Sequence, residues 1–309
     1  MIKIAMLDSA TLGDVDLSIF NELGDFKEYK LTAPEQTIER LKDVDVVITN
    51  KVLITEDVIA NTNLKLICIS ATGINNIDLK AAKERGIEVK NVSGYSTNSV
   101  TQQTFANLLT LTNKVCYYNS YCLDGKWTKS KTFAHLKKPF FELNGKTFGI
   151  IGLGDIGKSV ANVAKSFGCE VIYYSTSGKN SDKNYKKVEL DELLRSCDII
   201  SIHAPLNENT KNLISKNELA KLKKGAILMN FGRGGIVDEK EVTKQIDSSD
   251  LKFITDVLES EPMRAGHPFL KVKNRQNLLI TPHVAWASIE ARKRLIEMVA
   301  KNIKESFEA

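Results

Sequence analysis

No run of about 18 apolar residues occurs in this chain, the length a membrane-spanning helix requires. The amino terminus, MIKIAMLDSATLGDVD, reaches an aspartate by position 8 and offers neither a long apolar stretch nor a small-residue cleavage site, so no signal peptide is expected. A cytoplasmic location without membrane partners is the expectation. Cysteines are few: Cys68, Cys116, Cys122, Cys169 and Cys197 are odd in number, widely spread and never form a C-x-x-C pair. That pattern argues against a disulfide framework and against a zinc site, and the five read as reduced thiols with no metal to hold. A strong charge of one sign is also missing. The formal charge is only +5, gathered partly in KWTKSKTFAHLKK (126 to 138) and KNSDKNYKK (179 to 187). Both runs read as solvated lysine faces, and neither has the fold signature of a nucleic-acid binder. An anionic small ligand suits the same balance. No internal repeat of fixed period and no low-complexity tract is found.

What is present is 309 residues, 42% apolar and 26% charged, enough for two globular domains each with its own core. The first 91 residues alternate short β-rich runs (IKIAML, DVDVVIT, LKLICIS, IEVKNV) with helix-period stretches such as 34 to 43, where Pro34 suits a first turn, and 77 to 85. Strands separated by helices of this length imply a parallel sheet. From Ser96 to Leu123 an amphipathic pattern runs without proline or glycine, which predicts one long helix ended by Gly125. A second alternation follows, with strands expected in KTFGII, EVIYYS, CDIISIHAP, GAILMNFG, LKFITDV and NLLITPH, then a terminal helix in ASIEARKRLIEMVAKNIKESF. The expected fold class is α/β, with two doubly wound parallel-sheet domains.

GLGDIG, with Gly152, Gly154 and Gly157, stands after a predicted strand and before a predicted helix. In that context the glycines allow a tight turn, close approach of backbone to a pyrophosphate and close helix packing, with the helix amino terminus facing the phosphates. The next strand is expected to end in an acid if an NAD ribose is to be held, yet it ends at Ser175, and no carboxylate follows until Asp182. Ser175, Ser177 and Lys179 offer hydrogen bonds to a 2′-phosphate, so NADP is admitted beside NAD; no arginine is there to grip it bidentately. Arg233, in NFGRGGIVDE, follows another strand, where a guanidinium fork suits a carboxylate and keeps its charge. Glu261, in DVLESEP, and His283, in ITPHVAWAS, follow the next two. Hydride exchange between a nicotinamide and a carbonyl needs one proton moved in step, a task for histidine, and a carboxylate partner stabilises its imidazolium.

GIIGLGDIG, NFGRGGIVDE, DVLESEP and TPHVAWAS, in that order, resemble the D-isomer-specific 2-hydroxyacid dehydrogenases over nearly the whole chain. The resemblance implies a Rossmann cofactor domain, 98 to 283, inserted in a split flavodoxin-like substrate domain, 1 to 97 plus 284 to 309. It implies that Arg233 grips substrate carboxylate and carbonyl oxygen, that His283 is the acid/base and Glu261 its partner, and that Asp256 sets cofactor and active-site geometry. Backbone N–H groups of Thr72 and Gly73, in SATGINNID, are expected at the substrate carboxylate. Lys51 stands where a further basic contact occurs, or is simply a surface lysine. Asp155, Ile156, His203, Ala204, Pro205, Phe231, Gly232 and Ala285 are expected along the cofactor, together with Arg233 and His283. TNK, GYSTNSV and HVAWAS are similar to the glycerate dehydrogenase, or hydroxypyruvate reductase, branch, where the Trp286 indole would wall a small pocket. The function implied is reversible NAD(P)H-dependent reduction of hydroxypyruvate, then glyoxylate, by a homodimer. A cofactor-sensing corepressor and a phosphoglycerate dehydrogenase are the alternatives; the second often carries an additional C-terminal regulatory domain.

Overall fold

The computed structural model describes residues 1–307. The chain divides into two compact units, Met1–Ser96 joined by the chain from Trp286 on, and Thr97–Ala285. Both are α/β and each is built on a parallel sheet.

In the first unit the strands are β1 (Lys3–Met6), β2 (Asp25–Glu28), β3 (Val46–Thr49), β4 (Leu66–Ile69) and β5 (Glu88–Lys90), in the order β2-β1-β3-β4-β5. Every residue of β3 and β4 is buried, as expected of central strands covered on both faces. Three short helices, α1 (Thr37–Leu41), α2 (Glu56–Ala60) and α3 (Leu79–Glu84), connect them. Thr55 caps α2 by accepting from the Val58 N–H, and Asp78 caps α3 by accepting from Ala81. The edge strand β2 escaped the sequence reading because its residues, DFKE, leave only Phe26 half-buried. A run without alternation carries no strand signal.

The second unit opens with a correction. Instead of one helix over 96 to 123 there are two, α4 (Thr97–Asn113) and α5 (Val115–Leu123), broken at Lys114, whose φ of 56° is left-handed. Thr112 hydrogen-bonds back to the Leu108 carbonyl and to Asn113, and these weak helix formers end α4 with neither glycine nor proline. The buried stripe of α4 includes Val100, Phe105, Leu108 and Leu111, whereas α5 buries nothing, so the break falls where the core ends.

Seven strands follow: β6 (Thr147–Ile151), β7 (Glu170–Tyr174), β8 (Lys186–Lys187), β9 (Ile199–Ile202), β10 (Ile227–Asn230), β11 (Lys252–Thr255) and β12 (Leu278–Ile280). Their order is β12-β11-β10-β9-β6-β7-β8. The order in which strands are added to this parallel sheet therefore reverses between β6 and β9, and in such sheets ligands lie outside the carboxyl ends at the reversal. The helices are α6 (Asp155–Ser166), α7 (Leu190–Ser196), α8 (Lys216–Leu219) and α9 (Glu239–Ser248); α10 (Ile289–Phe307) belongs to the first unit. On α10, Ala291, Leu295, Ile296, Val299, Ala300 and Ile303 form one buried face against the β1, β3 and β4 side chains, each large aliphatic contributing about 1.5–3 kcal/mol. Among the described residues no helix is long and apolar enough to cross a membrane, and no group of three or more His, Cys, Asp or Glu is placed to hold a metal ion. All five cysteines are free.

Candidate active site

The carboxyl ends of β6, β9, β10 and β11 are joined by glycines that leave no space for a side chain. Gly152, after β6, has a φ of 94°, and a Cβ there would lie 3.0 Å from the backbone of His203 and Ala204, after β9. Gly232, after β10, would place its Cβ 2.6 Å from the Ala204 carbonyl oxygen. Gly234 would place one 1.9 Å from the carbonyl of Leu258, after β11. Four loops from distant parts of the chain are thereby pressed into one surface.

Within that surface the turn 152–157 fits a dinucleotide. A Cβ on Gly157 would stand 2.2 Å from the Gly152 carbonyl oxygen, so this glycine brings helix and strand together. Gly154 meets nothing within 4 Å, which leaves its face open. Gly154 is also the N-cap of α6 and supplies no side-chain acceptor, so the N–H groups of Asp155, Ile156 and Gly157 are offered by the backbone alone. Open backbone at a 12-residue helix amino terminus is what a pyrophosphate needs.

Beyond β7, Ser175 is buried and its hydroxyl has no hydrogen-bond partner among the described residues. Ser177 and Lys179 follow in an exposed turn, where the Lys179 N–H donates to Ser177 Oγ at 3.3 Å. No carboxylate stands at this strand end, and Asp182 is held below the usual range by the Asn184 N–H at 2.9 Å, helped by Lys158 at 3.5 Å. Of the residues after β9, Ala204 is buried and Pro205 exposed. The His203 ring faces Phe231, with ring centroids 6.3 Å apart, and Ser201 lies 2.8 Å from its Nε2. Loss of solvent pushes His203 down to about 3, so it stays neutral, and its Nδ1 is sealed without a partner among the described residues.

Arg233 sits on a turn shaped by Asn230, a residue that sequence reasoning passed over. Asn230 Oδ1 accepts the Gly232 N–H at 3.1 Å, and its Nδ2 donates to the Arg233 carbonyl at 2.9 Å. The Arg233 guanidinium donates to the Gly232 carbonyl at 2.9 Å and, among the described residues, pairs with no carboxylate. His283, at the end of β12, meets Glu261 with Nδ1 2.6 Å from Oε2. The other Glu261 oxygen accepts the Leu258 N–H at 2.9 Å. A base oriented by a carboxylate on one ring nitrogen keeps its second nitrogen for a substrate.

Asp256 organises the chain on both sides of that histidine. Its Oδ1 accepts the Thr281 hydroxyl at 2.5 Å and the Val284 N–H at 3.0 Å, its Oδ2 accepts the Ala285 N–H at 2.9 Å, and its carbonyl accepts the His283 N–H at 2.8 Å. These four bonds sustain the left-handed φ of 55° at His283, uncommon for a residue with a side chain. Burial raises Asp256 above the usual carboxylate range, opposed by the bonds from Thr281, Ala285 and Val284.

The remaining expected residues belong to the first unit. Thr72 is exposed, with its hydroxyl bonded to the Val92 carbonyl at 2.9 Å, and Gly73 follows in the same turn. Lys51 is exposed on a loop that buried Asp8 clamps, accepting the N–H groups of Asn50 at 2.9 Å, Lys51 at 2.6 Å and Val52 at 3.2 Å. Only the aspartate in an apolar strand end hinted at that clamp. Trp286 is half-buried, edge-on to Tyr95 with centroids 6.3 Å apart.

Comparison with known proteins identifies the family. The model of the D-isomer specific 2-hydroxyacid dehydrogenase NAD binding domain matches residues 105–285, more than half of the chain. The chain belongs to the D-isomer specific 2-hydroxyacid dehydrogenase family. It is 36% identical over 313 residues to a hydroxypyruvate reductase of Blautia hydrogenotrophica, covering 98% of this chain and 96% of that protein. It is 35% identical over 310 residues to a glycerate dehydrogenase of Methylorubrum extorquens, covering 99% and 96%. Among solved structures, an acyclic imino acid reductase in complex with NADPH and D-Arg superposes with a TM-score of 0.88 at 28% identity, covering 99% of this chain and 97% of that one.

Proposed function

We propose that this protein reduces small 2-keto acids with NADH or NADPH, hydroxypyruvate first and glyoxylate next, and oxidises the corresponding D-2-hydroxy acids in reverse. The observation that carries the reading is the 2.6 Å pair of His283 Nδ1 with Glu261, on the strand end beside the one that carries Arg233. A bound nicotinamide supplies or accepts the hydride. The residues of the chain do the rest. Arg233 binds the substrate carboxylate and carbonyl oxygen through its planar fork, and its hydrogen bonds strengthen as the carbonyl oxygen becomes anionic. Protonated His283 gives the proton on Nε2 to that oxygen, while Glu261 stabilises the imidazolium and holds the ring. Asp256 fixes the backbone that aims it. Lys51, Thr72, Gly73 and Trp286 are assigned to substrate contact on the resemblance of their motifs.

The names of the relatives, a hydroxypyruvate reductase and a glycerate dehydrogenase, support the substrate class. The Ser175 hydroxyl, which has no partner among the described residues, and the lack of a carboxylate at the end of β7 support NADPH as an accepted cofactor. Homodimer formation is part of the proposal, supported by Val115, Leu123, Trp127, Phe133, Leu136 and Phe140, all exposed within one short stretch. Five free thiols support work in a reducing cytoplasm.

An assay of NADH and NADPH oxidation with hydroxypyruvate, glyoxylate and 3-phosphohydroxypyruvate tests the reading. Hydroxypyruvate is expected to give the highest kcat/KM, and Arg233→Ala to lower it by about 10²–10³. No turnover on any of the three acids, or an Arg233→Ala variant as active as the parent, would remove the assignment.

A further inference from the structure

The sheet that presents Glu261 and His283 holds a second histidine–glutamate pair. His267 Nε2 lies 2.8 Å from Glu239 Oε2, and these side chains are 7% and 12% exposed, against 25% for His283 and 31% for Glu261. The bonding of the rings is opposite. His267 Nδ1 accepts the Phe269 N–H at 3.2 Å, so its hydrogen sits on Nε2 and is donated to Glu239; both ring nitrogens are committed to the protein. Such a histidine has no atom left for a substrate.

What the buried pair holds is the segment that bears Glu261. Glu239 is the first residue of α9, where the helix dipole favours a negative charge. Its Oε1 accepts the Glu259 N–H at 2.7 Å. One residue earlier, the Leu258 N–H binds Glu261 Oε1, and Gly234 lies so close beneath Leu258 and Glu259 that no Cβ would fit. Both bonds made by Glu239 are short and charge-assisted, and the one to His267 is shielded by the burial of both side chains.

We propose that Glu239 and His267 are positioning residues for the acid/base pair: they lock segment 258–261 so that the Glu261 carboxylate stays on His283. His267 orients Glu239, Glu239 holds the Glu259 backbone, and the turn that follows delivers Glu261. This rests on the proposed role of His283.

Three variants separate positioning from local structure. Glu239→Ala removes the anchor. His267→Gln keeps a donor near the place of Nε2, whereas His267→Asn keeps an acceptor near Nδ1, enough to cap the turn at Phe269 but too short to reach Glu239. The His283 ring is followed by NMR across pH in cofactor-free protein, alongside kcat, KM and cofactor binding. Glu239→Ala and His267→Asn are expected to lower kcat about tenfold to a hundredfold while KM and cofactor affinity change less than about twofold. The pH dependence of the His283 ring signals should differ from the parent's, because the ring loses its carboxylate partner. His267→Gln should keep the parent titration and most of kcat. A His283 titration unmoved in folded Glu239→Ala and His267→Asn would overturn the proposal, as would His267→Gln behaving like His267→Asn. If Glu239→Ala fails to fold, the two substitutions at 267 decide alone. The titration needs no substrate, so absence of keto-acid turnover by the parent would defeat the functional reading and leave this test standing.

Discussion

His283 and His267 sit at the same end of one sheet, each within hydrogen-bond reach of one glutamate, at 2.6 and 2.8 Å, yet only one of them is open to chemistry. The difference lies in the second ring nitrogen. In His267 it is consumed by a backbone N–H; in His283 it has no protein partner among the described residues. The backbone follows the same division, since His283 is held at a φ of 55° by Asp256, whereas His267 caps a helical turn in an ordinary conformation. A histidine–carboxylate pair is thus a proton carrier or a brace according to what the far nitrogen meets, and burial separates the two before any motif does.

The largest expected effect tests that division directly. His283→Ala should lower reduction by about 10²–10⁴ with cofactor binding retained and the melting temperature nearly unchanged, because the side chain is a quarter exposed. His267→Ala should weigh the other way: removing the buried donor strips Glu239 Oε2 of its partner, and urea unfolding should show a loss of about 2–3 kcal/mol. Equal loss of stability in the two variants would erase the distinction.

A smaller effect concerns Asp256, whose charge is buried to brace His283. Its folded pKa is raised by burial, so the folded protein holds that proton more tightly than the unfolded chain does. The stability it contributes therefore grows as pH falls through the interval between the ordinary aspartate value and the raised one, and is lost as pH rises through it. Asp256→Asn lacks this dependence. The stability difference between parent and variant should move in the parent's favour as pH falls from neutral toward the ordinary aspartate value, and a difference that ignores pH would contradict the assignment.

The smallest effect uses the other strained cation-bearing residue. Lys114 shares the left-handed conformation of His283, at a φ of 56°, and stands where α4 breaks from α5. Lys114→Gly should stabilise the fold by about 1 kcal/mol with turnover unchanged, whereas the strain at His283 has no such remedy without losing the ring. A destabilised Lys114→Gly protein would mean that this side chain has a role in holding the helices.

Much of the fold and of the site is legible in the sequence. The buried strands announce themselves as apolar runs such as VVIT and LICI, and parallel strands place the residues that follow them on one edge, which is why Glu261 and His283 meet although 22 positions separate them. What resisted reading depends on contacts rather than on pattern. The edge strand β2 has little to bury, and the helix break at Lys114 lacks the usual glycine. Asn230 and Asp8 act through bonds to backbone N–H groups, and the Glu239–His267 pair joins two residues that share no motif. Such partners are chosen by the fold, and no periodicity marks them.

The bare α-carbon at Gly234, pressed against the Leu258 carbonyl, carries a lesson for reshaping this protein. Mutational libraries that vary the arginine turn and the glutamate segment separately would disturb both at once, because neither can change contour without its neighbour. Altered cofactor preference is more readily sought at the carboxyl end of β7, where the exposed positions 177 and 179 accept new side chains while the proton-handling machinery stays untouched.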